Sequence, residues 1–284
     1  MKTTTIIVGE SSSIPNELVQ KYEMYLITFP IDWPEGEVII GKNIFEKMRK
    51  AKEQGIKTFP KTSQPAMGIY KKAYDEVLSK GQDVICITIS SKISGTYNSA
   101  IQAKKMLSEN DQKKVFVFDT FNADSTEALA AIKATELAEQ GKTAEEIYNY
   151  LLNSKLHIFA MVESPRWLEA GGRINGTIAG ALEAMQKIGM RPVLGIKDGV
   201  IKPTTLKMQA KDTANALLKE LLGIKKNKLK ISISHADNIN EAEKLKKLIE
   251  ENIPQSKIEF INFTSTVIGA HVGPGTIIVC ALEE

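Results

Sequence analysis

The chain has 284 residues, more than one hydrophobic core usually organises, and this length predicts two domains. Hydrophobic residues make up 43% of it and charged residues 25%, proportions that are typical of a globular protein. Its 37 basic residues nearly balance its 34 acidic residues, giving a net charge of +3, and this balance argues against nucleic acid as a partner.

The N-terminal segment and the cysteines indicate a cellular location. Residues 1–8 carry one lysine and a very short apolar run, so we expect neither a signal peptide nor a membrane anchor. Cys86 and Cys280 lie in apolar runs without metal-ligand or disulfide spacing, which predicts buried thiols and no metal site. Free thiols fit a reducing compartment, and we therefore predict a cytoplasmic protein.

Short apolar runs alternate with longer amphipathic segments along the chain. The apolar runs predict strands at residues 6–8, 83–89, 114–119, 156–163, 229–234, 257–263 and 275–282. Apolar positions with helical spacing predict helices at 16–22, 44–53, 67–78, 98–107, 125–140, 144–154, 176–186, 210–222 and 240–252. Most of the strands are apolar on both faces, as strands covered by helices on two sides are. The alternation therefore predicts an α/β fold.

One stretch in the second half departs from this alternation. Residues 191–203 form two short apolar segments around Asp198-Gly199, a pattern that predicts a β-hairpin. We therefore predict an N-terminal parallel α/β domain at residues 1–155 and a C-terminal mixed α/β domain, with the hairpin, at residues 156–284. The boundary follows the predicted helix at 144–154.

Four clusters of glycine and small hydroxyl residues could together hold a small anion. They occupy residues 62–65, 90–97, 171–173 and 269–275. Ser94 and Gly95 lie between a predicted strand and a predicted helix, where open α/β sheets bind ligands and helix N-termini offer free N–H groups. A helix N-cap is the commoner explanation for Ser94 when the cluster is taken alone.

The other three clusters are also ambiguous when each is taken alone. Thr62 precedes a predicted helix and could simply mark its start. His271 lies in a glycine-rich segment that predicts an exposed loop, where it is either a structural residue or a donor to a carboxylate. Arg173 follows two glycines and either contacts an anion or forms a surface ion pair.

In this order, the clusters resemble those of the DegV family of bacterial fatty-acid-binding proteins. The resemblance runs nearly end to end and rests on residues 61–65, 89–100, 171–174, 191–194 with 198–199, and 268–275. It implies a two-domain α/β fold with one long-chain acyl group in a cleft between the domains. It also implies that Thr62, Ser94, the Gly95 N–H and His271 hold the carboxylate, with Arg173 nearby.

The resemblance further implies a partner, a separate kinase subunit similar to dihydroxyacetone kinases. The kinase would phosphorylate the bound acid with ATP, and this protein, not itself an enzyme, would carry the acyl-phosphate to phospholipid synthesis. We expect a monomer without cofactor that contacts membranes only transiently. The sequence departs from the family at Glu10, where Asp is usual, and at Met208, where an Arg that docks the kinase is expected.

Two other functions remain open from the residues alone. Ser94, His271 and an acid such as Asp119 could form the nucleophile, base and acid of a hydrolase or acyltransferase. The Gly-x-Ser-x-Gly pattern that such enzymes often use is absent. The loop at 90–97 could bind a nucleotide, although neither of the common phosphate-binding glycine patterns occurs there.

Overall fold

The computed structural model describes residues 3–190, 192–205, 212–226 and 228–284. These residues form two main sheets and a two-stranded ribbon. The strands are β1 (Thr4–Gly9), β2 (Tyr25–Ile27), β3 (Ile31–Asp32), β4 (Lys61–Thr62), β5 (Asp83–Thr88), β6 (Val115–Asp119), β7 (Leu156–Met161), β8 (Val193–Lys197), β9 (Val200–Thr205), β10 (Leu229–His235), β11 (Lys257–Phe263) and β12 (Ile277–Glu283).

Helices connect these strands and cover both main sheets. They are α1 (Asn16–Lys21), α2 (Pro34–Glu37), α3 (Ile44–Glu53), α4 (Met67–Ser79), α5 (Thr96–Lys105), α6 (Glu109–Gln112), α7 (Ser125–Glu139), α8 (Ala144–Leu152), α9 (Arg166–Ala170), α10 (Gly176–Lys187), α11 (Thr213–Leu222), α12 (Ile239–Asn252) and α13 (Thr266–Val272). No described helix is both long enough and apolar enough to cross a bilayer.

The N-terminal sheet is parallel, as predicted, with strand order β2-β1-β5-β6. Successive residues of β1 point to opposite faces. Ile7 packs with residues of α4 and α5, whereas Ile6 and Val8 pack with residues of α7 and α8. Because both faces are covered, all six residues of β1 are buried, which explains the apolar run in the sequence.

The C-terminal sheet is mixed, as predicted, with strand order β11-β10-β12-β7-β8-β9. Its β10 and β11 are parallel, and its other neighbours are antiparallel. The predicted hairpin is present as β8 and β9, and Asp198 and Gly199 at its turn have φ of 55° and 79°. Two successive left-handed residues are what a tight hairpin turn requires.

Helix α7 is largely buried because it lies between the two sheets. It contacts β1 and β5 of the first sheet and β10 and β12 of the second. The second sheet begins in sequence with β7 at Leu156, one residue after the predicted boundary. The division into domains 1–155 and 156–284 stays a prediction.

The interpretation of residues 269–275 as an exposed loop was wrong at its first half. Residues 266–272 form α13, capped by the Ser265 side chain, which accepts a hydrogen bond from the Ile268 N–H. Gly269 allows α13 to pack closely against Phe45 of α3, since a Cβ at Gly269 would lie 2.5 Å from Phe45 Cε1. The second half is the expected special turn, because Gly273 and Gly275 have φ of 76° and 80°.

Candidate functional site

A cavity of about 490 Å³, lined by residues from both halves of the chain, opens beside the loop that follows β5. All five residues that the sequence singled out line it: Thr62, Ser94, Gly95, Arg173 and His271. We call this part of the cavity the head end. Apart from Arg173, the only charged residue among the described lining residues is Lys92, and none of them is an acid. The head end therefore favours an anion.

Ser94 and Gly95 stand where β5 leads into α5. Gly95 is the N-cap of α5, and its N–H has no acceptor among the described residues. Ser94 Oγ accepts a hydrogen bond from the Thr96 N–H at 3.3 Å and lies 2.7 Å from Thr96 Oγ1. If Thr96 donates both of these bonds, the Ser94 hydroxyl proton is free for a ligand. The Gly95 N–H and the Ser94 hydroxyl would then be two free donors at the positive, N-terminal end of α5.

Thr62 joins the two halves of the chain through its side chain. It lies on the short strand β4, which pairs with β3, and its Oγ1 is 2.7 Å from Nε2 of His271. His271 lies in the last turn of α13. This hydrogen bond holds the first half of the chain against α13 at the edge of the cavity.

His271 has an unusual environment on its other side. Its Nδ1 is buried and has no hydrogen-bond partner among the described residues. A Cβ built on Gly171 would lie 2.1 Å from that atom, so the ring occupies the space that a side chain would take. Burial and the nearby positive charge of Arg173 lower the pKa of His271 to about 4. The imidazole is therefore neutral at pH 7.

Arg173 contributes an unpaired cation to the head end. Its Nη1 donates a hydrogen bond to the Gly171 carbonyl oxygen, and no carboxylate pairs with it among the described residues. Burial lowers its pKa, although the guanidinium remains charged at neutral pH. A half-buried cation without a counter-ion attracts an anionic ligand.

An apolar extension of about 60 Å³ continues from the head end, and we call it the tail end. The two cavities share five lining residues: Ala123, Leu168, Ile201, Ile268 and Val272. The other residues of the tail end are Asp124, Ile158, Ala160, Val162, Leu194, Gly195, Ile196 and Ile278. Its one ionisable side chain, Asp124, accepts hydrogen bonds from Ser13 and Ser125.

Sequence analysis predicted none of these residues as the lining of an apolar cavity. Ile158, Ala160 and Val162 recur at every second position along β7 and just beyond it, and this spacing could have marked one face of the strand. The spacing alone does not distinguish a face that lines a cavity from one that packs solidly. The predicted head-group residues, in contrast, are of types that stand out in a sequence: hydroxyl residues, glycine, histidine and arginine.

The arrangement of a hydrolase is not assembled here. Among the described residues no hydrogen bond joins Ser94 to His271, because their hydrogen bonds go to Thr96 and Thr62. The Asp119 carboxylate accepts from the N–H groups of Ser91 and Phe121, and none of the acids that the structure describes is hydrogen-bonded to Nδ1 of His271. A general base needs such a chain of contacts to activate a serine.

Two sequence-derived positions cannot be placed. Arg191, in the hairpin segment, and Met208, at the expected kinase-docking position, lie outside the described residues. Within the described residues, no group of three or more His, Cys, Asp or Glu side chains is arranged to hold a metal ion.

Comparisons with known proteins agree on one family. A sequence model of the DegV family, whose description reads "Uncharacterised protein, DegV family", matches residues 3–284. A DegV domain-containing protein of Staphylococcus aureus is 30% identical, with 99% of this chain and 100% of that protein aligned. A Thermotoga maritima structure, described as revealing fatty acid binding function, is 28% identical with a TM-score of 0.79 over 100% of this chain and 99% of that one. A stearic-acid-binding protein of Eubacterium ventriosum is 25% identical with a TM-score of 0.83 over 99% and 98% of the two chains.

Proposed function

This chain belongs to the DegV family, and we propose on that basis that it binds one long-chain fatty acid. The observation that carries the proposal is the cavity, which has cations and hydroxyls but no described acid at its head end and apolar side chains at its tail end. A fatty-acid anion has the matching distribution of charge and apolar surface. The fatty-acid-binding relatives from Thermotoga maritima and Eubacterium ventriosum support it.

In this proposal the carboxylate lies at the head end, near Thr62, Ser94, the Gly95 N–H and His271, with Arg173 beside it. An unpaired carboxylate in an apolar environment would cost several kcal/mol. Charge-assisted hydrogen bonds from hydroxyl and N–H donors offset that cost. The hydrogen bond between Thr62 and His271, at 2.7 Å, supports a preformed group of donors.

The acyl tail would run from the head end along the apolar lining residues that the two cavities share and into the tail end, and it would contribute most of the affinity. Each buried methylene contributes about 0.8 kcal/mol, so ten of them supply about 8 kcal/mol before the entropic costs of binding. We propose that the ligand lies between two domains, residues 1–155 and 156–284. The lining residues come from both segments, which supports this arrangement.

We further propose that the protein presents the carboxylate to a dihydroxyacetone-kinase-like subunit. A carboxylate oxygen would attack the γ-phosphorus of ATP, the bond to the bridging oxygen would break, and ADP would leave an acyl-phosphate on this protein. Exposed residues Ser63, Gln64, Ser91 and Lys92 line the head end, which supports access from outside. The protein would act as a cytoplasmic monomeric carrier, touching membranes transiently to supply phospholipid synthesis.

The first test asks which lipid accompanies the protein from cells. The purified protein is extracted with organic solvent, and the extract is analysed by mass spectrometry. We expect one fatty acid per chain, and the delipidated protein should take up radiolabelled palmitate. Recovery of no acyl lipid, together with no palmitate uptake, contradicts the proposal.

The second test addresses the kinase step separately. The palmitate-loaded protein is incubated with a dihydroxyacetone-kinase-like subunit and ATP, and acyl-phosphate is trapped with hydroxylamine. We expect a hydroxamate to form and Ser94→Ala to reduce it. Undiminished product from Ser94→Ala would contradict the assignment of Ser94 to the carboxylate.

A further inference from the structure

The β8–β9 hairpin forms part of the cavity wall at both ends. Leu194, Gly195 and Ile196 line the tail end, Val200 lines the head end, and Ile201 lines both. The hairpin lies at the edge of the six-stranded sheet, because β9 is the last strand in its order. A displacement of the hairpin would therefore open the cavity from the side, along the length of a bound acyl chain.

The hairpin is attached to its own sheet by a short ladder. In the described part of β8, pairing with β7 occurs at two positions, Gly195 opposite Phe159 and Leu194 opposite Ala160. Strand β12, on the other side of β7, pairs with it at six positions. A register shift between Val193 and Leu194 marks a β-bulge at the same place, and bulges bend a strand. The half of the hairpin that carries the turn therefore extends beyond the ladder.

The turn of the hairpin is held instead by the first half of the chain. Ser90 Oγ donates a hydrogen bond of 2.8 Å to the Gly199 carbonyl oxygen, and both residues are buried. A Cβ on Gly199 would lie 2.8 Å from Ser90 Oγ and from Lys92 Cγ, so the turn packs closely on the loop after β5. Ser90 belongs to the hydroxyl cluster at 90–97 but is not among the described residues that line the cavity. Its hydroxyl therefore serves the hairpin and not the ligand.

We propose that the β8–β9 hairpin is a lid over the acyl chain and that the Ser90 hydroxyl holds this lid closed. The inference rests on the proposed function and adds how the ligand enters and leaves. When the hydrogen bond from Ser90 to Gly199 breaks, the turn moves away from the loop after β5 and bends at the short ladder beside Gly195. Fatty acid exchanges through this open form, and the closed form retains it.

Hydrogen exchange of the free wild-type protein tests the lid without a ligand or a substitution. A two-stranded hairpin that has left its sheet is only marginally stable, so its amides exchange with solvent when the lid opens. We expect residues 196–202 to exchange at least about tenfold faster than residues 277–283 of β12, because the lid opens without global unfolding. Equal protection of the two segments would overturn the inference.

Ser90→Ala tests the hydrogen bond that holds the lid. The variant loses the donor but keeps the Ser90 carbonyl, which accepts from the N–H groups of Ile93 and Ser94 and so supports the head end. We expect residues 196–202 to exchange about 5- to 50-fold faster than in wild type, the effect of losing one buried hydrogen bond. Exchange in β12 should not change. Unchanged exchange at 196–202, or an equal increase throughout the sheet, would overturn the inference. If the variant does not fold, the wild-type measurement decides.

The rates of palmitate exchange test the role of the lid in binding. Because opening precedes both entry and release, Ser90→Ala should raise the association and dissociation rate constants together, by about 5- to 50-fold. The dissociation constant should change less than about threefold, whereas loss of a ligand contact acts mainly on dissociation. Stopped-flow fluorescence with a fluorescent palmitate analogue measures both rates. Unchanged rates, or faster dissociation alone, would overturn the inference. If the protein binds no palmitate, the proposed function fails while hydrogen exchange still tests the lid.

Lys202→Met is the matched control within the same hairpin. Lys202 Nζ lies 3.5 Å from Asp198 Oδ2, and both side chains are exposed, so this substitution removes a contact that does not reach the first half of the chain. Exposed ion pairs contribute little, and we expect both rate constants to stay within about twofold of wild type. Acceleration equal to that of Ser90→Ala would show that any change in the hairpin speeds exchange and would overturn the role of Ser90.

Discussion

The head end and the tail end of the cavity are built in opposite ways. At the head end a few polar atoms from distant parts of the chain meet, as Thr62 and His271 do at 2.7 Å. At the tail end, residues such as Ile158, Ala160 and Ile278 come largely from neighbouring strands of one sheet. Directional hydrogen bonds fix where a ligand lies, whereas apolar contact scales with buried area. The head end is therefore expected to orient the ligand and the tail end to supply affinity.

The largest expected effect comes from filling the tail end. Ala160→Phe places a ring in a cavity of about 60 Å³ and should displace the last carbons of a long chain. Loss of about four buried methylenes corresponds to about 3 kcal/mol, or about 200-fold in the dissociation constant of palmitate. Isothermal titration calorimetry with delipidated protein provides the measurement.

Octanoate is the control for this variant, because a short chain leaves the deepest part of the cavity empty. Its dissociation constant should change less than about threefold. Equal losses for octanoate and palmitate would indicate a general loss of structure or a tail that lies elsewhere. Thermal unfolding of the variant should show a single transition, since overpacking costs about 1–3 kcal/mol without abolishing folding.

At the head end, single polar deletions should cost less. Ser94→Ala and His271→Ala should each weaken palmitate binding by about 1–3 kcal/mol, the effect of stranding one partner of a buried polar contact. Octanoate and palmitate should lose the same factor, because both carry the same carboxylate. Ser99→Ala, on the same helix but outside the cavity lining, is the matched control. A loss that grows with chain length would contradict the separation of roles.

The neutral state of His271 makes a pH-dependent contribution to stability. Its pKa of about 4 lies below the value of an unfolded histidine, so the unfolded chain binds more protons between these two values. Stability from this residue is present above about pH 6.5 and is lost as pH falls toward 4. Between pH 6.5 and 5.5 the loss should be about 1 kcal/mol in the free energy of unfolding.

Urea unfolding of wild-type protein and His271→Gln at several pH values isolates that contribution. Buried Glu127 and Asp124, whose pKa values are raised by burial, contribute with the opposite sign in both proteins. The difference between the two proteins therefore reports on His271 beside Arg173. A difference that does not change from pH 8 to 5 would contradict a neutral, desolvated imidazole.

The same contrast explains what could be predicted from the sequence. The helix at 44–53 and the strand at 257–263 match the structure to the residue, because periodicity reports local burial directly. Thr62, Ser94, Gly95, Arg173 and His271 all line one cavity. The residue types suggested that their clusters could together hold an anion, but only the resemblance selected these five residues within the clusters. Their separate signals were those of ordinary caps and turns.

The helix around His271 and the lining of the tail end could not be predicted from the local sequence pattern. The glycines around His271 predicted a loop, whereas Gly269 accommodates Phe45 from α3, a contact that only the tertiary structure creates. The tail end depends on β12 lying between β10 and β7, an order that the chain sequence does not specify. Ala160 and Ile278 become neighbours in a cavity because those strands pair.

The smallest expected effect concerns the exposed cation at the rim of the head end. Lys92 lines the cavity and is exposed, so its attraction to a carboxylate is screened by solvent and salt. Lys92→Met should weaken palmitate binding about two- to fivefold at low ionic strength, mainly by slowing association. At about 1 M salt, where the screening length is near 3 Å, the difference should disappear. Stopped-flow fluorescence with a fluorescent fatty acid separates the two rate constants. A loss that persists in high salt would indicate direct contact between Lys92 and the carboxylate and would contradict a purely screened attraction.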